Sequence, residues 1–476
     1  MWFPLEKLNL AILKKSSLCT LALLGFAVPS LADRVDDAIR SAMAKQKIPG
    51  VALLIAKRDK VVKKGAYGMA DLELSVPMKA NMLFESGSIG KCFTSTVIMQ
   101  LWEQGKIGLD DPLSKYIEHT PENWKDIKIR NLLGQTSGLK DYALVPGIGL
   151  ADHWTTEQWF AKMVTLSLDF PTGSSWAYCN SNYLLLGLIA EKITGKPIDD
   201  LISERVFKPL GMNDSFVSDG DPIIHNRVAG YWDNDGSIIN GIKIGHGYGD
   251  GGRLNTCEDL AKFERGLRQG KLVKPETLSL MRTPGVLPSG RKTPYGFGWF
   301  VRKTNGHQYI SHGGNTGGCG CSIFRVSDKE LTVIVMTNLA SVSGDTLAQQ
   351  IAEAYDHDLV AKPLVESPDP NPAFSKVLME ALTGLGNRNT TQDIFDAEMK
   401  ARLATGRGQM VLDYFAPFKA IERFAYCQTE SSDPDTNLTY RVKAKGQTYI
   451  VTFVVTKDKK LYQAGARLDV QQLRKK

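Results

Sequence analysis

Residues 84–101, Phe-Glu-Ser-Gly-Ser-Ile-Gly-Lys-Cys-Phe-Thr-Ser-Thr-Val-Ile-Met-Gln-Leu, constrain this chain more than any other stretch. Ile89, Phe93, Val97 and Leu101 recur every four residues, which predicts a buried stripe on an α-helix that ends at Gly105. Ser88 and Lys91 lie three apart where that pattern begins. Side chains at i and i+3 of a helix are neighbours, so the Lys91 amine reaches the Ser88 hydroxyl. Free N–H groups and the positive dipole end at a helix start favour negative charge developing on oxygen. A serine with an amine base at that place is an arrangement for nucleophilic catalysis.

The Ser-x-x-Lys spacing recurs as Ser137/Lys140 and Ser289/Lys292. The first of these belongs to Thr136-Ser-Gly138, which reads as a turn, and the second to Pro-Ser-Gly-Arg-Lys-Thr-Pro, which reads as a loop. Only Ser88 opens an amphipathic helix. Two rival motifs fail at the same place. Gly87-Ser-Ile-Gly90-Lys91-Cys92 has the wrong glycine spacing for a phosphate loop and no Ser or Thr after the lysine. A Gly-x-Ser-x-Gly nucleophile elbow needs glycine at 86, where Ser86 stands.

Two downstream motifs supply partners. Tyr178-Cys179-Asn180 follows Pro171-Thr-Gly173 and precedes a buried helix pattern at 183–194. A phenol near a lysine ammonium loses its proton more readily. Tyr178 is therefore a candidate base toward Ser88, and later an acid toward the leaving group. The Asn180 amide offers a donor and an acceptor to a substrate amide or ester. His312-Gly313-Gly314 follows a strand, and its glycines allow a substrate backbone to lie close. The Asn315 N–H is then a candidate to pair with the Ser88 N–H as an oxyanion hole. An unperturbed imidazole titrates near about 6.5, so His312 is expected to be mostly neutral above about pH 7 and to favour neutral esters over carboxylate-bearing substrates.

The N-terminus reads as an export signal. Lys14 and Lys15 precede an apolar run from Leu18 to Val28, and Ser30-Leu31-Ala32 offers small residues at a cleavage site. The run is shorter than the roughly 20 residues a membrane span needs. The expectation is a secreted or periplasmic protein with no stable span after cleavage. Loss of residues 1–32 removes three lysines and one glutamate, taking the formal charge from +7 to +5. With no dense Lys/Arg stripe, nucleic acid is not an expected partner. Six cysteines remain in the mature chain, at 92, 179, 257, 319, 321 and 427, and no pairing among them follows from the sequence. Neither Cys nor His spacing suggests a metal site, and no cofactor is expected.

The rest of the chain reads as α+β. Residues 34–47 form a helix, and Val51–Ala56 with Val61–Ala66 a hairpin. Short helices follow at 127–133 and 197–206, and one capped by Thr256 at 257–269. Strands at 296–302, 308–311, 321–326 and 331–337 precede a helix at 345–358. The hairpin and these strands join in one antiparallel sheet flanked by helices, beside a helical lobe. Residues 361–373 are a proline-rich linker. Residues 374–476 read as a small α+β domain, its second helix opened by Thr390. Leu438, Tyr440 and Val442 share one strand face there, and Tyr449, Val451, Phe453 and Val455 another. Every motif above precedes the linker, so this domain is expected to be dispensable for the chemistry.

Taken in order, these residues resemble the serine β-lactamase and penicillin-binding-protein superfamily, in which Ser-x-x-Lys is a signature. The branch they are most similar to is that of the class C β-lactamases with their esterase and D-peptidase relatives. The agreement spans about residues 34–358 and includes Gly65-Ala-Tyr-Gly68, Ser88-Ile-Gly-Lys91, Leu109-Asp-Asp-Pro112, Tyr178-Cys-Asn180, Gly251-Gly252, Tyr295-Gly-Phe-Gly-Trp299 and His312-Gly-Gly314. The C-terminal part resembles small nuclear-transport-factor-like modules. The resemblance implies a serine hydrolase domain over 33–360 with its site between two lobes. Ser88 would be the acylated nucleophile, with Lys91 and Tyr178 handling protons. Asn180, His312, Gly313, Gly314 and Asn315 would bind a small-molecule or peptide substrate. His312 stands where many β-lactamases carry Lys-Thr-Gly, as in the esterase and D-peptidase members, and Gly134-Gln135 stands where Thr-His is common.

Overall fold

A computed structural model of the chain describes residues 31–469, except 150, 151, 153, 218–222, 243–247 and 433. The expected export signal lies outside the described residues apart from its last two, which open the first helix. The helices that frame the site are α1 (Leu31–Gln46), α2 (Gly90–Glu103), α3 (Ile129–Leu133), α4 (Asn180–Thr194), α5 (Cys257–Arg268) and α6 (Gly344–Tyr355). The strands are β1 (Gly50–Lys57), β2 (Lys60–Asp71), β3 (Val76–Pro77), β4 (Phe300–Thr304), β5 (His307–Asn315), β6 (Gly320–Val326) and β7 (Leu331–Thr337).

These strands form one sheet in the order β3-β2-β1-β7-β6-β5-β4. The N-terminal hairpin joins the later strands through β1 and β7, which run antiparallel from Val51 opposite Thr337 to Lys57 opposite Leu331. Alternation divides the side chains between two cores. Val51, Leu53, Ile55, Val333 and Val335 pack with Val35 and Ile39 of α1 and Ile351 of α6. Ala52, Leu54, Ile334 and Met336 face the larger helical core, with Phe93, Val97 and Phe263. Both faces are covered, so β6 and β7 are buried at every residue, the polar Ser322, Arg325, Thr332 and Thr337 included.

Helix α2 departs from the expected single stripe. Every residue from Gly90 to Met99 is buried, because the helix lies inside the protein rather than on it. Phe93 meets Phe207 and Phe263 edge-on at 5.2 and 4.7 Å. Two other boundaries move. The helix expected at 197–206 is α-helical only over Ile198–Ile202 and continues as a wider π turn over Ser203–Phe207. Strand β5 reaches Asn315, four residues past its expected end, and so carries the whole His-Gly-Gly motif.

The segment 361–371 carries no helix or strand. Beyond it stand α7 (Pro372–Gly386), α8 (Ala397–Ala404) and α9 (Gly406–Val411), then a sheet of β8 (Ile421–Ser432), β9 (Asp435–Ala444), β10 (Gln447–Val455) and β11 (Leu461–Leu468) in sequential order. Thr390 does not open the second helix; Asp396 does, accepting from the Met399 N–H at 2.7 Å. The two apolar sets of β9 and β10 share one face rather than two. The register pairs Leu438 with Phe453, Tyr440 with Val451 and Val442 with Tyr449. Lys445 and Gly446 both take positive φ, giving the tight hairpin turn that sets this register. That face packs on Leu378, Leu382 and Phe415 in a third core.

Candidate active site

The turn that carries Ser88 is built by close backbone approach. Phe84–Glu85 pairs with Arg253–Asn255 and delivers the chain to Gly87, whose φ is +53°. Ser88 sits in the tight turn Gly87–Ile89, one turn before α2 proper. A Cβ at Gly87 would lie 2.8 Å from the Asn315 carbonyl oxygen, and one at Gly314 only 1.9 Å from that of Ser86. Gly314 thus makes room for the protein's own Ser86–Ser88 turn rather than for a substrate backbone, which corrects the expectation for that residue. The same contact brings the Asn315 backbone N–H against Gly87, beside Ser88.

Lys91 is fully buried, and its three donor positions are matched by three acceptors. Nζ donates to Ser88 Oγ at 3.1 Å, to Asn180 Oδ1 at 2.7 Å and to the Asp250 carbonyl oxygen at 2.8 Å. It lies 5.0 Å from the centre of the Tyr178 ring. The structure thus brings Ser88, Lys91, Tyr178 and Asn180 together. Asn180, the first residue of α4, is held from behind: its backbone N–H donates to Asp141 Oδ1 at 3.2 Å. Its acceptor oxygen is occupied by Lys91, so in this state it orients the lysine.

The other Ser-x-x-Lys pairs are structural. Ser137 is buried and donates to Asn182 Oδ1 at 2.6 Å, while Lys140 pairs with Asp169 at 2.5 Å. Ser289 and Lys292 are exposed. Gln135, in the region where the family commonly has Thr-His, accepts from the Cys179 N–H at 3.1 Å and from Asn182 Nδ2 at 2.5 Å. It braces the Tyr178 segment.

His312 lines the cavity but is only 1% exposed. Its Nδ1 lies 2.7 Å from the Gly313 carbonyl oxygen, which only accepts, so the proton sits on Nδ1. Nε2 then accepts from the Tyr295 hydroxyl at 2.9 Å. Burial first, and the nearby Lys91 charge second, push the imidazole down to about 3. The sequence expectation of titration near neutrality is overturned, as is that of a free N–H for substrate. His312 holds Tyr295 and the strand that carries Gly314.

The cavity has a volume of about 420 Å³, and Ser88, Tyr178, Asn180 and His312 are on its wall. Two acidic groups on that wall, a third just behind it and a distant arginine have no place in the sequence reading. Asp250 is buried, accepts from the Tyr142 hydroxyl at 2.9 Å, and is pushed up by burial. Asp345 is half-buried beside Gly313, accepts from Ser311 at 2.9 Å and Ser322 at 2.5 Å, and is also pushed up by desolvation. Asp141 meets Arg407 of the C-terminal unit, which also lines the cavity. Only Asp250 had a sequence signal, its place beside Gly251-Gly252. The six cysteines are unbridged and buried.

Residues 35–356 match the family model described as Beta-lactamase. The chain belongs to the beta-lactamase family. Among curated relatives of this family member, the D-aminopeptidase of Brucella melitensis biotype 2 is 27% identical over 376 residues, covering 76% of this chain and 70% of that protein. A D-stereospecific amidohydrolase from Streptomyces sp. is 26% identical with a TM-score of 0.58, covering 69% of this chain and 99% of the other. The octameric penicillin-binding protein homologue from Pyrococcus abyssi has a TM-score of 0.62 at 20% identity and covers 92% of this chain and 98% of its own. At that identity the likeness is one of fold, and its coverage exceeds the span of the beta-lactamase family match. The chain is a hydrolase of the serine beta-lactamase superfamily.

Proposed function

We propose that this protein is an exported serine hydrolase that cleaves an ester or amide through an acyl-enzyme on Ser88, with esterase or D-amino-acid peptidase specificity. The observation that carries the reading is the hydrogen bond from the buried Lys91 amine to the Ser88 hydroxyl at the cavity wall. Ser88 Oγ attacks the substrate carbonyl carbon, and its proton passes to the Lys91–Tyr178 pair. The N–H groups of Ser88 and Asn315 receive the oxyanion. The tetrahedral adduct collapses, the C–O or C–N bond breaks, and the proton returns to the leaving alcohol or amine. Water then attacks the ester on Ser88 by the same route and frees the acid.

The specificity reading draws on relatives named D-aminopeptidase and D-stereospecific amidohydrolase. It also draws on the neutral, fully hydrogen-bonded His312, which gives a carboxylate no fixed positive charge at that strand position. Export rests on the leader-like residues 1–32. The test is one preparation assayed on p-nitrophenyl esters, D-alanyl amides and nitrocefin. Ester or D-alanyl amide turnover well above nitrocefin turnover is expected. Nitrocefin hydrolysed fastest would replace this specificity with that of a class C-type β-lactamase. No covalent labelling and no turnover would leave a binding protein.

A further inference from the structure

Arg407 belongs to α9, beyond the proline-rich segment, yet its side chain reaches the wall of the Ser88 cavity. Nε and Nη2 both lie 2.5 Å from Asp141 Oδ2. Its guanidinium lies 4.9 Å from the centre of the Tyr178 ring, so that ring has a cation from each folded unit beside it. The approach is built in. A Cβ at Gly406 would meet Leu144 of the catalytic unit at 3.0 Å, and one at Gly408 would fall 2.0 Å from the Arg402 carbonyl oxygen. The run Gly406-Arg-Gly408 lets the arginine sit tight against the turn that follows Asp141.

Asp141 is nearly closed to solvent, with a side chain 6% exposed. Its Oδ1 accepts from the backbone N–H groups of Asn180 at 3.2 Å and Ala143 at 3.3 Å. Asn180 Oδ1 in turn receives Lys91, and Lys91 donates to Ser88. A continuous chain of hydrogen bonds thus runs from the C-terminal unit to the nucleophile. With Arg407 removed, Asp141 Oδ2 becomes a buried carboxylate oxygen whose remaining side-chain donor among the described residues is Asn180 Nδ2, at 3.5 Å. An uncompensated buried charge draws in whatever donor it can reach. Drawing in that amide rotates the group that holds Lys91.

We propose that Arg407 is a positioning residue of this active site, so that the C-terminal domain completes the catalytic arrangement instead of being an appendage to it. Arg407 fixes Asp141, and through it Asn180 and the Lys91 amine; its stacking beside Tyr178 sets the second proton-handling group. The inference rests on Ser88 being the nucleophile.

The experiment uses the full chain with Arg407→Gln, Arg407→Lys, Asp141→Asn and the double variant D141N/R407Q. The readouts are the rate of fluorophosphonate labelling of Ser88 and the kcat and KM for a p-nitrophenyl ester. Arg407→Gln should slow labelling and lower kcat by about tenfold or more while KM stays within about twofold, the pattern of misplaced chemistry rather than lost binding. Arg407→Lys should recover part of the loss, because it keeps the charge without the two-pronged fork. The double variant, with no charge left to compensate, should fall within about threefold of Asp141→Asn alone, as coupled sites do. Arg407→Gln labelled at the wild-type rate would overturn the proposal. So would a loss confined to KM, or single losses that multiply in the double variant. If Arg407→Gln does not fold, Arg407→Lys carries the test, and wild-type kcat there overturns it. Wild-type protein that takes no label fails the Ser88 reading instead, a separate result.

Discussion

Tyr295 Oη and His312 Nε2 lie 2.9 Å apart in the buried wall of the cavity, the phenol donating to a neutral ring. Burial holds that ring at about 3 in the folded protein, against about 6.5 for a free imidazole. Between those values the unfolded chain binds a proton that the native one does not. The stability linked to His312 is therefore fully present above about pH 6.5 and is lost progressively as pH falls toward 3. His312→Gln removes this contribution. Urea unfolding midpoints at pH 7 and pH 4.5 should differ less in the variant than in the wild type. An equal acid shift in both would show that His312 does not titrate this way. For the same reason, discrimination against carboxylate substrates should not relax through His312 protonation near neutrality.

Gly314 and Ser86 make the tightest glycine contact around the Ser88 turn, with no space for a Cβ between them. Gly314→Ala forces β5 away from Ser88 or distorts the turn, and backbone on both sides leaves no flexible side chain to give way. A loss of about 1–3 kcal/mol is expected from such overpacking, together with loss of Ser88 labelling. Gly465→Ala is the control, since nothing lies within 4 Å of its added methyl. Thermal melting and labelling of the two variants check this, and a Gly314→Ala protein of wild-type stability and reactivity would refute the packing argument.

How much of this was legible in the sequence differs by element. Strands β1 and β7 were readable because both of their faces are buried, so Val51–Ile55 is an unbroken apolar run and Leu331–Met336 is interrupted only by Thr332, which leaves little ambiguity of type. The Ser88–Lys91 pair was readable because helical geometry fixes the neighbour at i+3. The role of His312 was not, since its neutral state depends on burial and on Tyr295 and Gly313, none of which spacing reveals. Arg407 was hidden for a stronger reason: it lies 266 positions from Asp141, and no local pattern encodes the packing of one folded unit on another. Thr390 misled because a Thr with an acid three residues on imitates a helix start, whereas the true cap, Asp396, precedes the actual apolar period at Met399 and Leu403.

Arg291 is the second link between the two units. It pairs with Asp435 at 2.8 Å and with Asp396 and Glu398 at 3.0 Å, and its guanidinium lies 4.4 Å from the Tyr462 ring. All four charged side chains are at most 14% exposed. Arg291→Ala removes the cation shared by the buried Asp435 and the half-buried Asp396 and Glu398, which is expected to cost about 3 kcal/mol. Melting should split into two transitions, and limited proteolysis should cut sooner within residues 361–371. A single transition at the wild-type midpoint, with unchanged proteolysis, would mean the contact adds nothing to docking.

The proposed acyl-enzyme chemistry stands on Ser88, set against Lys91 at the cavity wall, as the acylated nucleophile. Its most direct test is intact-mass and peptide mass spectrometry after incubation with a fluorophosphonate. One adduct per chain is expected, on the peptide that contains Ser88 and absent from Ser88→Ala, with a loss of turnover in that variant of about a thousandfold or more. An adduct on Ser137 or Ser289, or label and turnover retained in Ser88→Ala, would contradict it.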